Sequence, residues 1–126
     1  MNRDTLLLRQ VNRAWIQQGR VTSQVFRPTA KDSRRLSVYN GELINAEDAW
    51  RHYTDKLGFS SAGVLGVTVG ECADHELSAE PDPEPFPEHA VIRFHGCSSS
   101  QMKKKAAQLT RLAVARDWLY RAETSG

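Results

Sequence analysis

Four of the five prolines fall in one seven-residue run, Pro81-Asp82-Pro83-Glu84-Pro85-Phe86-Pro87, and no other segment limits the fold as sharply. Each proline fixes φ and removes an amide donor, so alternating prolines exclude a helix or an interior strand. The run is expected to be a stiff, polyproline-like surface connector at 81–87. It is too short to be a convincing linker between domains, and 126 residues is the common size of a single one. The expectation is a single compact domain over 1–126. A chain of that length buries roughly two-thirds of the surface its unfolded form exposes, so it folds without a metal or disulfide.

Directly after the connector, His89-Ala90-Val91-Ile92-Arg93-Phe94-His95 reads as a strand. Ala90, Ile92 and Phe94 share one face; His89, Val91, Arg93 and His95 share the other. Before the connector, the valine-rich stretch Ala62–Val69 reads as a strand covered on both faces, set at the centre of the sheet. Its Gly63 and Gly66 suit close approach of a neighbouring element, and Glu71–Glu76 suits one or two helical turns. Further strands are expected at Leu6–Val11, at Val21–Phe26 up to Pro28, at Leu36–Tyr39 before an Asn40-Gly41 turn, and at Trp118–Tyr120. A short helical turn is expected over Arg13–Gln18, a polar turn about Asp32-Ser33, and a frayed tail over Thr124–Gly126.

Two segments carry helix signals. Asn45 suits an N-cap, with Asp48 three residues on and Ile44 and Ala49 placed as a hydrophobic staple. Ala46, Ala49, Trp50, Tyr53 and Leu57 then recur at helical spacing up to Gly58, with Glu47 and Arg51 as an i,i+4 pair. Ser98 and Gln101 form a capping box ahead of the stripe Met102, Ala106, Leu109, Leu112 and Ala113, and Asp117 marks the end. The fold class expected is α+β: a mostly antiparallel sheet of about five short strands, with two main helices covering a face.

Charge is segregated along the chain. Residues 1–35 carry eight Lys/Arg and two acids, residues 57–92 seven acids and no Lys/Arg, and residues 93–126 seven Lys/Arg and two acids. Two readings follow: a basic surface assembled from the two ends, or weak pairing of adjacent basic and acidic segments. No apolar stretch reaches the roughly 20 residues of a membrane span or the roughly 7–15 of a signal peptide. Two cysteines, Cys72 and Cys97, are too few for a disulfide scaffold, so a cytoplasmic protein with free thiols is expected.

No signature names a reaction. CxxC, HExxH, G-x-S-x-G, Walker A and G-x-G-x-x-G are all absent, and His95-x-Cys97 is not a zinc spacing, so no metal and no cofactor are expected. Three functional readings remain. The first is a partner-binding or regulatory module, with Phe86 as an anchor among prolines and Asp82 and Glu84 as its acidic neighbours. The alternative to that anchor is Phe86 folded back as a lid over the core. The second is a small enzyme acting on a phosphate-bearing or nucleotide substrate. Arg93 would hold the anion, His89 or His95 would move a proton, and Arg9 would assist, provided these converge in a cleft. The third is nucleic-acid or phosphate binding through Lys103, Lys104, Arg111 and the N-terminal arginines.

Overall fold

The computed structural model describes residues 1–29 and 33–122. The tail expected at 124–126, and Asp32 of the turn expected about Asp32-Ser33, lie outside these residues. In chain order the strands are β1 (Leu6–Gln10), β2 (Ile16–Gln17), β3 (Arg20–Val21), β4 (Arg35–Asn40), β5 (Gly63–Thr68), β6 (Ser78–Pro81), β7 (His89–Arg93) and β8 (Tyr120–Arg121). The helices are α1 (Ala46–Arg51), α2 (Val69–Asp74) and α3 (Ser99–Arg116). Six strands form one antiparallel sheet in the order β6-β7-β4-β1-β5-β8, and β2 and β3 form a separate hairpin. The class is α+β, with one strand more in the main sheet than expected.

The two longer helical segments lie on opposite faces, not on one. Strand alternation sets this arrangement. Leu7, Val11, Leu36, Val38, Leu65, Val67, Ala90, Ile92 and Phe94 point to one side and bury against Ala106, Leu109 and Ala113 of α3. Leu8, Tyr39 and Val64 point to the other side and meet Ala49, Trp50 and Tyr53. Ser98 and Gln101 form the expected capping box of α3, and Asp117 follows its end in a positive-φ conformation. The Asn45 side chain caps α1 through the Asp48 amide. After Arg51 the helix widens into one π-helical turn, His52–Lys56, before Gly58 turns out of it with φ 75°.

Two further expectations need correction, and one strand was not foreseen. Val25 and Phe26 form no strand; they sit in a 3₁₀ turn, Ser23–Phe26, packed against α3. A strand would send neighbouring side chains to opposite sides, whereas the turn lets both Val25 and Phe26 become fully buried. Burial of a phenylalanine contributes about 1.5–3 kcal/mol, enough to override local strand preference. The valine-rich β5 is penultimate in the sheet, not central, because only the two-residue β8 lies beyond it. Its burial on both faces comes from the helical layers. Last, Ser78–Pro81 is an edge strand that the sequence did not signal, paired to β7 as a hairpin.

The glycines of β5 act as expected. A Cβ on Gly63 would fall on the Tyr120 carbonyl oxygen and 2.9 Å from the Trp118 ring, and one on Gly66 would fall 2.6 Å from the Leu119 side chain. The C-terminal segment lies against β5 because these positions have no side chain. Among the described residues, no helix is long and apolar enough to cross a membrane.

Candidate active site

The middle of the sheet does not stay zipped. β1 pairs with β4 only at Leu7↔Asn40 and Leu8↔Tyr39, while β4 continues along β7 from Arg35 to Tyr39. Below Tyr39, β1 and β4 separate. Arg9 fills the gap: its Nη1 donates to the Ser37 carbonyl at 2.9 Å and its Nε to the Val25 carbonyl at 2.7 Å. Its guanidinium also lies 5.2 Å from the Trp15 ring centre. A side chain thus satisfies the Ser37 carbonyl that the open ladder would leave without a donor.

The separation opens a cleft of about 320 Å³ with Leu8, Arg9 and Gln10 on one lip and Ser37, Val38 and Tyr39 on the other. Tyr53 of the π-helical turn, with Leu57 and Phe59 after it, makes one wall; Pro85, Phe86 and His89 make the opposite wall. The size suits a small ligand, and apolar walls with a few polar groups are the usual make-up of such sites.

The connector is pinned to the sheet. Asp82 N–H donates to the His89 carbonyl at 2.9 Å, and His89 N–H to the Phe86 carbonyl at 3.1 Å. The Asp82 carboxylate holds Arg35 at 3.0 Å. Phe86 folds back over the second core, its ring 5.1 Å from Tyr39, 4.5 Å from His52 and 5.2 Å from His89, centre to centre. His89 is thereby buried, although its strand face could have been a wet one.

Beside that lid Ser37, His89 and Asp82 line up. Ser37 and His89 are diagonal neighbours on one face of the β4–β7 ladder, since Ser37 pairs with Val91 and Tyr39 with His89. The Ser37 hydroxyl lies 3.1 Å from His89 Nε2. On the far side of the ring, Nδ1 lies 2.9 Å from the Asp82 carbonyl oxygen and 3.5 Å from its carboxylate. Both are acceptors, so Nδ1 carries a proton, and in the neutral ring Nε2 faces the hydroxyl as an acceptor. A serine thus stands beside a histidine whose ring is oriented by the Asp82 main-chain carbonyl, with the Asp82 carboxylate further off.

Neighbouring groups keep other roles. Burial, and next the charges of Tyr53 and Glu88, push the Tyr39 phenol well above its ordinary range. It therefore stays protonated, and its hydroxyl shares a hydrogen bond of 2.8 Å with His52 Nδ1. Burial, reinforced by Glu71, pushes the Cys72 thiol up to about 12, so it supplies no thiolate at neutral pH. Gln10 is buried with its Nε2 donating to the Ala49 carbonyl, and its Oε1 has no hydrogen-bond partner among the described residues. No group of three or more His, Cys, Asp or Glu among the described residues could hold a metal ion.

Of the residues expected to converge, Arg9 and His89 share the cleft and Arg93 and His95 do not. Arg93 pairs with Glu80 of the edge strand at 2.7 Å, and His95 lies exposed in the turn after β7. Phe86 and Asp82 are engaged within the domain, while Glu84 is exposed. Lys103 and Lys104 are exposed in the first turns of α3, whereas Arg111 lines a separate groove at its far end. Ser37 escaped sequence reasoning. The signal available was its outward parity with Tyr39 on one strand, matching that of His89 on another.

The architecture is thus an α+β domain with a locally opened antiparallel sheet and a cleft that brings Ser37 to His89. Set against known proteins, the chain matches no family model, and no curated protein or solved structure matches it significantly.

Proposed function

We propose that the chain is a small serine-dependent hydrolase acting on esters with a compact apolar acyl group. The observation that carries this reading is the 3.1 Å contact from Ser37 Oγ to His89 Nε2, with Nδ1 of the same ring held at Asp82. In the first step Ser37 Oγ attacks the ester carbonyl carbon and its proton moves to His89 Nε2. The leaving alkoxide takes that proton, which leaves the acyl group on Ser37. Water then attacks the acyl-serine, with His89 accepting its proton and returning one to Ser37. Arg9 keeps a fixed positive charge on the cleft floor beside the serine, where negative charge develops on the carbonyl oxygen.

The aromatic and aliphatic walls favour a short acyl chain over a charged one. The partner-binding reading is less well supported, because Phe86 is half-buried among three rings and Asp82 is shared between Arg35 and His89. We place the enzyme in the cytoplasm, as its two cysteines are unpaired and buried.

The test is hydrolysis of p-nitrophenyl acetate, butyrate and octanoate by the purified chain. Wild type should hydrolyse the short esters faster than the octanoate, and Ser37→Ala and His89→Gln should each lower kcat/KM at least 100-fold. Hydrolysis that persists at wild-type level in both variants would remove Ser37 and His89 from the mechanism. A wild-type chain that hydrolyses none of the three esters would overturn the reading.

A further inference from the structure

A second and larger groove lies on the other side of the molecule, at the C-terminal end of α3. It has a volume of about 570 Å³ and shares no lining residue with the serine cleft. Three arginines line it from three separate elements: Arg20 from the β2–β3 hairpin, Arg111 from α3 and Arg121 from β8. The hairpin puts Arg20 there because Gln18 and Gly19 both adopt positive φ, the geometry of a tight two-residue turn. Arg20, Arg111 and Arg121 have no carboxylate partner among the described residues. Other arginines do: Arg93 pairs with Glu80, Arg35 with Asp82 and Arg116 with Glu71.

One carboxylate, Asp117, also lines the groove, and it accepts a bond from the Trp118 amide. The groove therefore holds a surplus of positive charge on guanidinium forks, the donor best matched to phosphate. Its apolar lining comes from Ile16, Val21 and Val114, and Trp118 stands in the wall with Arg121 stacked 5.2 Å from its ring centre. A planar ring can lie on the apolar lining against Trp118 while its phosphate meets the arginines.

We propose that this groove binds a nucleoside phosphate, with the base against Trp118 and the apolar side chains of Ile16, Val21 and Val114 and the phosphate held by Arg20, Arg111 and Arg121. The volume fits one nucleotide, and the charge requires an anion. The basic ends of the sequence meet here: Arg20 comes from the N-terminal segment, Arg111 and Arg121 from the C-terminal one. The nucleotide can arrive free or as one unit of a single strand, and the two sources share the same contacts.

Titration of the intact protein with AMP, adenosine, inorganic phosphate and a single-stranded DNA 12-mer tests this. Calorimetry gives the affinities, and the Trp118 indole NMR signal, assigned by its loss in Trp118→Phe, locates the site. AMP should bind with a shift of that signal, at least 10-fold more tightly than adenosine. Arg111→Ala and Arg121→Ala should each weaken AMP at least 10-fold with unchanged circular dichroism, because both side chains are solvent-exposed. A 12-mer that binds far more tightly than AMP, with affinity falling steeply in salt, assigns the nucleotide to a strand; equal or weaker binding assigns it to the free form. No binding of AMP or the 12-mer at millimolar concentration would overturn the proposal. So would AMP affinity unchanged in the Arg111→Ala, Arg121→Ala double variant. Ester hydrolysis by Ser37 is read separately and does not bear on these outcomes.

Discussion

His89 shows how much one residue's surroundings decide. On its strand it shares parity with Arg93 and His95, and from parity alone the three read as one face. Sheet pairing splits them: Arg93 is drawn to Glu80 on the edge strand, and His95 lies past the strand end. Phe86 then covers His89 and leaves its two nitrogens facing Ser37 and Asp82. The sequence offered Phe86 as lid or as anchor, and its ring packs among Tyr39, His52 and His89 as the lid reading expects. Because the ring is only half-buried, Phe86→Ala should destabilise by about 2 kcal/mol, short of the roughly 3–5 kcal/mol for a fully buried ring. Urea unfolding measures that loss. In the ester assay the same variant should raise KM, since one wall of the cleft is gone; an unchanged KM and unchanged stability would mean the lid matters to neither.

At the scale of elements, helix ends were the most legible feature of the sequence. Asn45 and Ser98 cap as their spacing predicts, because capping needs only local chemistry. Features set by distant residues were not legible. The 3₁₀ turn at Ser23–Phe26 exists because α3 lies over it, and the edge strand Ser78–Pro81 exists because β7 offers a free side. The short α2 has its own capping box between Thr68 and Glu71, and Arg116 from α3 closes on the same carboxylate at 3.0 Å. Burial alone would raise the Glu71 pKa, but the hydrogen bonds from Arg116 and Thr68 outweigh it, so the carboxyl titrates below its ordinary value. A carboxylate lowered in the folded state adds stability above its unfolded pKa of roughly 4.3 and loses it as pH falls through the folded value. Wild type should therefore melt above Glu71→Gln at pH 7, and the gap should close as the pH drops below about 4. A gap independent of pH would show that the charge on Glu71 does not link α2 to α3.

Across the whole molecule, the separated β1 and β4 strands relate the fold to the proposed activity. An unbroken ladder would place Arg9 and Ser37 in a closed sheet with no room for a ligand; the opened strands leave a floor that Arg9 seals. Sequence reading reached the fold class because alternation, caps and prolines are local signals. It found His89 and Arg9 but not Ser37, because only the β4–β7 register brings a serine to a histidine 52 positions away. The basic groove follows the same logic: charge segregation was visible in the chain, while its site depended on the hairpin, α3 and β8 meeting. Ser37 is the direct test of the account. Incubation of the native protein with a fluorophosphonate, followed by mass spectrometry of its peptides, should give one adduct on Ser37 that disappears in Ser37→Ala and falls at least 10-fold in His89→Gln. An unmodified Ser37, or equal labelling with and without His89, would contradict the proposed Ser37–His89 site.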